Sequence, residues 1–168
     1  LFGYGTHTPE GGFVDVHEDG LAGFAQSRRL VVSWSTYNAS NGETRPACGD
    51  LDGDGEDEVL VGLGAGARGY LQAFRGSSGS WASLSWLRVP WVAYDAANGE
   101  TRVACGDMDL DGKAELMVGL GAYPRCGGYF LLYKDAGTGL LATRWGRVQM
   151  PAYNGANGEV WPALGRLR

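Results

Sequence analysis

Cysteine and histidine are the scarcest chemistry-bearing residues in this chain. Cys48, Cys105 and Cys126 are its three cysteines, too few and too widely spaced for a zinc cluster or a disulfide framework. Cys48 and Cys105 fall at equivalent places in a repeat, where Ala163 replaces them in the third copy, so small buried residues are expected there. His7 and His17 are the only histidines, with no recurring serine or cysteine partner. A hydrolytic triad is therefore not expected, no glycosidase carboxylate pair is evident, and the chain reads as a non-enzyme. Basic charge is also in deficit, with 14 Lys and Arg against 19 Asp and Glu, a net charge of -5 and a pI near 5.0. The basic residues are scattered, which argues against a nucleic-acid partner. Apolar runs are no longer than a strand, so membrane insertion is not expected. The start, Leu1-Phe2-Gly3, has no Met and no signal-peptide pattern, as in a mature or excised chain.

What the chain has in abundance is glycine and aspartate in a recurring pattern. At 168 residues, 44% hydrophobic and 20% charged, it has the length and balance of one folded domain. Asp50-Leu51-Asp52-Gly53-Asp54-Gly55-Glu56-Asp57-Glu58 is followed by Val59-Leu60-Val61-Gly62-Leu63-Gly64. Asp107-Met108-Asp109-Leu110-Asp111-Gly112-Lys113-Ala114-Glu115 is followed in the same register by Leu116-Met117-Val118-Gly119-Leu120-Gly121. Carboxylates at alternate positions of a tight loop can wrap oxygens round one hard cation, and calcium is the expected ion. The ligands would be Asp50, Asp52, Asp54, the Glu56 carbonyl and Glu58 in one loop. In the other they would be Asp107, Asp109, Asp111, the Lys113 carbonyl and Glu115. An EF-hand needs a glutamate at loop position twelve and flanking helices, whereas Val61 or Val118 stands there and β-rich sequence follows. Each loop therefore reads as a strand-to-strand connection.

The repeat extends beyond the loop. Tyr37-Asn38-Ala39-Ser40-Asn41-Gly42-Glu43-Thr44-Arg45 matches Tyr94-Asp95-Ala96-Ala97-Asn98-Gly99-Glu100-Thr101-Arg102, and Tyr153 to Trp161 matches both. A period near sixty residues points to propeller blades or a similar array. Four strands per unit are predicted: Glu43 to Gly49, Asp57 to Gly64, Gly69 to Arg75 and Ser83 to Trp91. The next unit repeats them as Glu100 to Gly106, Ala114 to Gly121, Gly128 to Lys134 and Thr143 to Gln149. Phe2-Gly3-Tyr4-Gly5 aligns with Val118-Gly119-Leu120-Gly121, so residues 1–36 supply the last three strands of a split blade. Residues 37–93 and 94–152 are whole blades, and 153–168 supply the split blade's first strand. Pairing the two termini in one sheet would close a ring and remove exposed edges. Arg166 stands where Asp50 and Asp107 stand, so two complete ion sites per chain are expected.

The two acidic loops, the Val-Gly-Leu-Gly runs at 61–64 and 118–121 and the long period resemble the FG-GAP family, also met as VCBS repeats. Its blades build the integrin α-chain headpiece propeller and some fungal propeller lectins. The resemblance implies an all-β propeller of four-stranded antiparallel blades, with a structural calcium ion pinning the hairpin between the inner two strands of each blade. Three blades' worth is fewer than the 4 to 8 usual for propellers. A homodimer completing one six-bladed ring is therefore expected, with a fragment of a longer chain or an unusual array as the alternative.

The Tyr-x-x-x-Asn-Gly-Glu segments and nearby tryptophans read as candidate ligand sites: Trp34, Tyr37, Asn41, Glu43 and Arg45; Trp91, Tyr94, Asn98, Glu100 and Arg102; and Tyr153, Asn157, Glu159 and Trp161. Trp86 and Trp145 lie on the outer strands nearby. Aromatic faces beside carboxylate, amide and guanidinium groups suit stacking on sugar rings, and repetition would raise avidity. The competing reading is that Asn-Gly makes a turn, Glu and Arg pair between blades, and the rings pack the sheets. The expected function is a calcium-stabilised, lectin-like propeller, with an integrin-like protein-interaction scaffold as the alternative. Partners would be glycans or a cell-surface protein. Calcium dependence and the sequon Asn38-Ala39-Ser40 suggest a secreted, extracellular setting.

Overall fold

The computed structural model describes residues 1–7, 9–20, 23–77, 80–123, 127–137 and 139–165. Cys126 and Arg166 lie outside them. The described residues form three antiparallel sheets. Sheet A holds β1 (Phe2–Gly3), β2 (Phe13–Gly20) and β3 (Gly23–Val31) in that order. Sheet B holds β4 (Thr44–Gly49), β5 (Glu58–Leu63), β6 (Tyr70–Ser77) and β7 (Ser80–Arg88). Sheet C repeats it with β8 (Thr101–Gly106), β9 (Glu115–Leu120), β10 (Tyr129–Asp135) and β11 (Leu140–Arg147). The eight strands predicted for the two whole units are all present, and the architecture is that of propeller-like blades. Each sheet has one register shift between its last two strands, at Val16/His17, Ala73/Phe74 and Leu132/Tyr133. A bulge at the same place in every blade adds local twist.

The sheets stack side by side. Val59, Val61 and Leu63 pack toward sheet A against Val14, Val16, Leu30 and Val32. Leu60 and Leu71 pack toward sheet C against Leu116, Val118 and Leu120. Sheet B is therefore covered on both faces, which is why β5 is a continuous apolar run rather than an alternating one. Glycines set the spacing between blades. A Cβ at Gly62 would lie 2.5 Å from the Thr101 carbonyl oxygen, and equivalent clashes await at Gly3 with Thr44 and at Gly119 with Val160.

Three helices of six residues were not predicted: α1 (Ser35–Ser40), α2 (Val92–Ala97) and α3 (Pro151–Ala156). Each follows an outer strand and ends at the Asn-Gly pair. In the first, Asn41 and Gly42 both donate to the Tyr37 carbonyl, at 2.9 and 3.1 Å, and Gly42 turns the chain out at φ 67. This is a left-handed helix stop that favours glycine. So short a helix leaves no legible periodicity, and it also ends the outer strands earlier than predicted, at Arg88 and Arg147.

The split blade differs from expectation. Among the described residues sheet A has three strands, and the segment 159–165 pairs with none of them. It runs instead along sheet C, where Val160 donates to the Leu120 carbonyl at 2.9 Å. In the same way Thr44 at the start of β4 donates to Tyr4 at 2.8 Å, beyond sheet A. The cause is geometric: bringing 159–165 back to β1 would require three sheets to span a full circle, each a very tight wedge. No helix of the described residues is long and apolar enough to cross a membrane.

Candidate functional site

The acidic loops connect β4 to β5 and β8 to β9, and their internal bonding is nearly superposable. Asp50 accepts from the Gly53 amide at 2.7 Å and the Gly55 amide at 2.8 Å; Asp107 accepts from Leu110 at 2.7 Å and Gly112 at 3.1 Å. Leu110 adopts φ 65, the left-handed conformation that Gly53 adopts at φ 81. Burial raises the Asp50 carboxyl, but the amide bonds from Gly55, Gly53 and Asp54 outweigh it and hold it below the usual range. Glu58, 1% exposed, accepts from the Leu51 amide at 3.0 Å, and Glu115 accepts from Met108 at 2.7 Å.

Carboxylate oxygens of Asp50, Asp52 and Glu58 converge within 4.8 Å of one another, as do those of Asp107, Asp109 and Glu115. Such clusters could hold a metal ion. The other predicted aspartates are not in the converging set of carboxylates: Asp54 accepts from the Glu56 amide at 2.8 Å, and Asp111 from the Lys113 amide at 2.9 Å. Those are local turn bonds. A side-chain cation meets each cluster, since Arg75 bonds Asp52 and also Glu58 at 2.9 Å, while Lys134 bonds Asp109 and lies 3.2 Å from Glu115. The Lys134 ammonium holds Asp109 below the usual carboxylate range. An all-oxygen donor set built on one buried glutamate per loop, with side-chain cations already drawn to it, suits a hard metal cation.

The Tyr-Asn-Gly-Glu segments are for the most part structural. Tyr37 and Tyr94 are buried, and each hydroxyl donates to a carbonyl, Glu43 or Glu100, at 2.6 Å. Each also accepts a backbone amide, from Gly64 at 2.7 Å or Gly121 at 2.6 Å. Burial pushes both phenols up. Tyr153 repeats the donation to Glu159 at 2.7 Å. Asn41 and Asn98 accept the Glu43 and Glu100 amides at 2.9 and 3.0 Å, and Asn157 is exposed. The hydroxyls of Tyr37 and Tyr94 and the Oδ1 atoms of Asn41 and Asn98, expected as ligand contacts, are thus engaged by backbone groups of the chain itself. Asn38 of the sequon donates its Nδ2, the atom a glycan would occupy, to the Val32 carbonyl at 2.7 Å. Cys48 is exposed and Cys105 half-buried, so the expectation of two buried thiols fails at the first; burial pushes the Cys105 thiol up to about 12.

The charged members form a ladder across the inner strands. Arg45 pairs with Glu43 at 2.8 Å and Glu100 at 3.4 Å; Arg102 pairs with Glu100 at 2.8 Å and Glu159 at 3.5 Å. Trp161, 65% exposed, ends the ladder with its ring 4.3 Å from the Arg102 guanidinium carbon.

An aromatic recess recurs in sheets B and C. Trp34 at the head of α1 meets Tyr70 of β6 and Trp86 of β7, with ring centroids 5.9, 6.1 and 6.1 Å apart and interplanar angles of 83°, 85° and 89°. Trp91 meets Tyr129 and Trp145 at 5.2, 6.1 and 6.3 Å, with angles of 82°, 87° and 86°. Each recess is about 350 Å³, and Trp86 and Trp145 are 36% and 40% exposed. Trp34 and Trp91 are expected ligand residues, whereas Tyr70 and Tyr129 escaped notice. The equal spacing of Tyr70 and Trp86 from their counterparts was the available signal.

Residues 50–118 match the family model of the FG-GAP-like repeat. Neither the curated proteins nor the solved structures contain a match.

Proposed function

We propose that this chain, which carries an FG-GAP-like repeat over residues 50–118, is a calcium-stabilised, non-enzymatic binding module whose repeated aromatic recesses engage carbohydrate. The observation that carries the reading is the recurrence of one half-open recess in consecutive blades, Trp34–Tyr70–Trp86 and Trp91–Tyr129–Trp145. Amphipathic rings held at fixed spacing are suited to binding a repetitive ligand, where avidity multiplies modest affinities. Calcium at Asp50, Asp52 and Glu58 and at Asp107, Asp109 and Glu115 would neutralise clustered carboxylates and pin the loops, two structural ions per chain. Such modules work at extracellular calcium levels, so the setting proposed is secreted.

A second copy of the chain is the proposed partner in assembly, its 159–165 segment lying beside β1 to build one larger ring. Sedimentation measures this directly: a particle of about twice the chain mass of 17.8 kDa is expected, and a monomer across the micromolar range refutes it.

The glycan test is array binding followed by competition with monosaccharides, comparing the wild type with Trp86→Ala/Trp145→Ala. Saturable binding lost in the double variant supports the reading, and silence across the array at millimolar sugar overturns it. A protein-interaction scaffold is the second reading. It is favoured by the Glu43–Arg45–Glu100–Arg102–Glu159 ladder, whose charges pair with one another rather than facing a sugar's hydroxyls.

A further inference from the structure

The three rings of each recess are nearly perpendicular to one another, and that shape selects among ligands. A pyranose has a flat apolar face, which one ring satisfies, and a rim of hydroxyls that need polar partners. The first recess offers Ser33 beside its three rings; Pro90 accompanies the rings of the second. Three orthogonal faces instead surround a rounded group. The three rings line one recess with centroids near 6 Å apart, so a cation seated among them comes within the roughly 6 Å over which a ring face attracts it.

We propose that each aromatic corner takes a quaternary ammonium group, of the kind a choline substituent carries. A primary ammonium would bring three N–H donors into a lining with few acceptors, whereas a trimethylated nitrogen has none to satisfy. Its methyl groups suit the apolar walls and its charge suits the ring faces. Two resident cations stand near the corners and weigh against a further one, the guanidinium carbon of Arg88 being 5.1 Å from the Tyr70 centroid and that of Arg147 4.8 Å from Tyr129; Asp95 offsets the first by pairing with Arg88 at 2.9 Å, and Arg147 donates to the Gly127 carbonyl at 3.1 Å. The chain's net charge of -5 adds a weak general preference for a cation. This inference rests on the reading that the recesses bind a ligand, and a glycan bearing a choline-type substituent would satisfy both.

The experiment titrates the full chain, in calcium, with tetramethylammonium, choline, the neutral tert-butyl isostere of choline, and a panel of unsubstituted monosaccharides. Tryptophan fluorescence and calorimetric stoichiometry are the readouts. Choline and tetramethylammonium are expected to saturate two sites per chain, about tenfold or more tighter than the neutral isostere. Trp86→Ala should leave one site and Trp86→Ala/Trp145→Ala none, while Trp86→Phe keeps both with weaker binding; thermal melts confirm that each variant is folded. Equal binding of the isostere, or no saturation by choline while monosaccharides bind, overturns the inference and leaves the binding-module reading intact. Silence of every probe overturns both.

Discussion

The hydroxyl of Tyr94 accepts the amide of Gly121 at 2.6 Å while donating to the carbonyl of Glu100 at 2.6 Å. One fully buried phenol thus ties a helix to the start of β8 and the end of β9. Tyr37 makes the same two bonds one blade earlier. Tyr94→Phe keeps the ring and strands two buried backbone groups, so it is expected to cost about 1–3 kcal/mol. Urea unfolding with an unchanged m-value would show this. Tyr153→Phe, at a half-buried position, should cost less, and equal losses at both sites would contradict the account.

Gly62 is the second test of how the blades are spaced. An alanine methyl there would sit 2.5 Å from the Thr101 carbonyl oxygen and 3.1 Å from its carbon, both backbone atoms that cannot swing away. Overpacking of this kind costs about 1–3 kcal/mol. At Gly155, within α3, an added methyl would meet no atom within 4 Å, so Gly155→Ala should be neutral or stabilise by a few tenths of a kcal/mol up to about 1. Thermal melts of the pair separate steric contact from glycine's general entropy.

These residues also mark what was legible in the sequence. Val59 to Leu63 reads as a strand because both its faces are buried, and the doubled acidic loop announces its connection to β4 by glycine and aspartate spacing alone. The ends of the outer strands and the three helices were not legible, because six residues stopped by Asn-Gly carry too little pattern to distinguish helix from turn. The candidate site was half legible. Repetition singled out Tyr37 and Tyr94 together with Trp34 and Trp91, yet a repeated structure repeats its core and surface contacts alike. Only burial separates the phenols bonded to Gly64 and Gly121 from the indoles that line a recess.

Calcium is expected to raise the melting temperature and a chelator to lower it. An ion that binds only the folded chain at a hundred times its dissociation constant stabilises by about 2.7 kcal/mol per site. Glu58→Gln removes a carboxylate that is buried beside Asp50 and Asp52, and should cut the calcium response to that of the remaining loop. Glu58→Gln/Glu115→Gln should abolish it. A wild-type melt indifferent to both calcium and chelator would remove the structural ion from the account.

Asp15 supplies a pH test away from the acidic loops. It is buried on β2, accepts from Arg29 at 2.7 and 2.9 Å and also from the Tyr4 hydroxyl, and the guanidinium bonds hold its carboxyl down to about 2. An ordinary aspartate titrates near 3.9. Because the folded value is the lower one, the contribution is present in full above about pH 4 and is lost as pH falls toward 2. Asp15→Asn should cost about 1–2 kcal/mol at neutral pH, a charged hydrogen bond's range reduced for the exposure of Arg29. The gap between wild type and variant should narrow between pH 4 and 2, as measured by urea midpoints in chelator so that metal binding does not contribute. A gap that stays constant over that interval would mean that the Asp15 charge is not what stabilises sheet A.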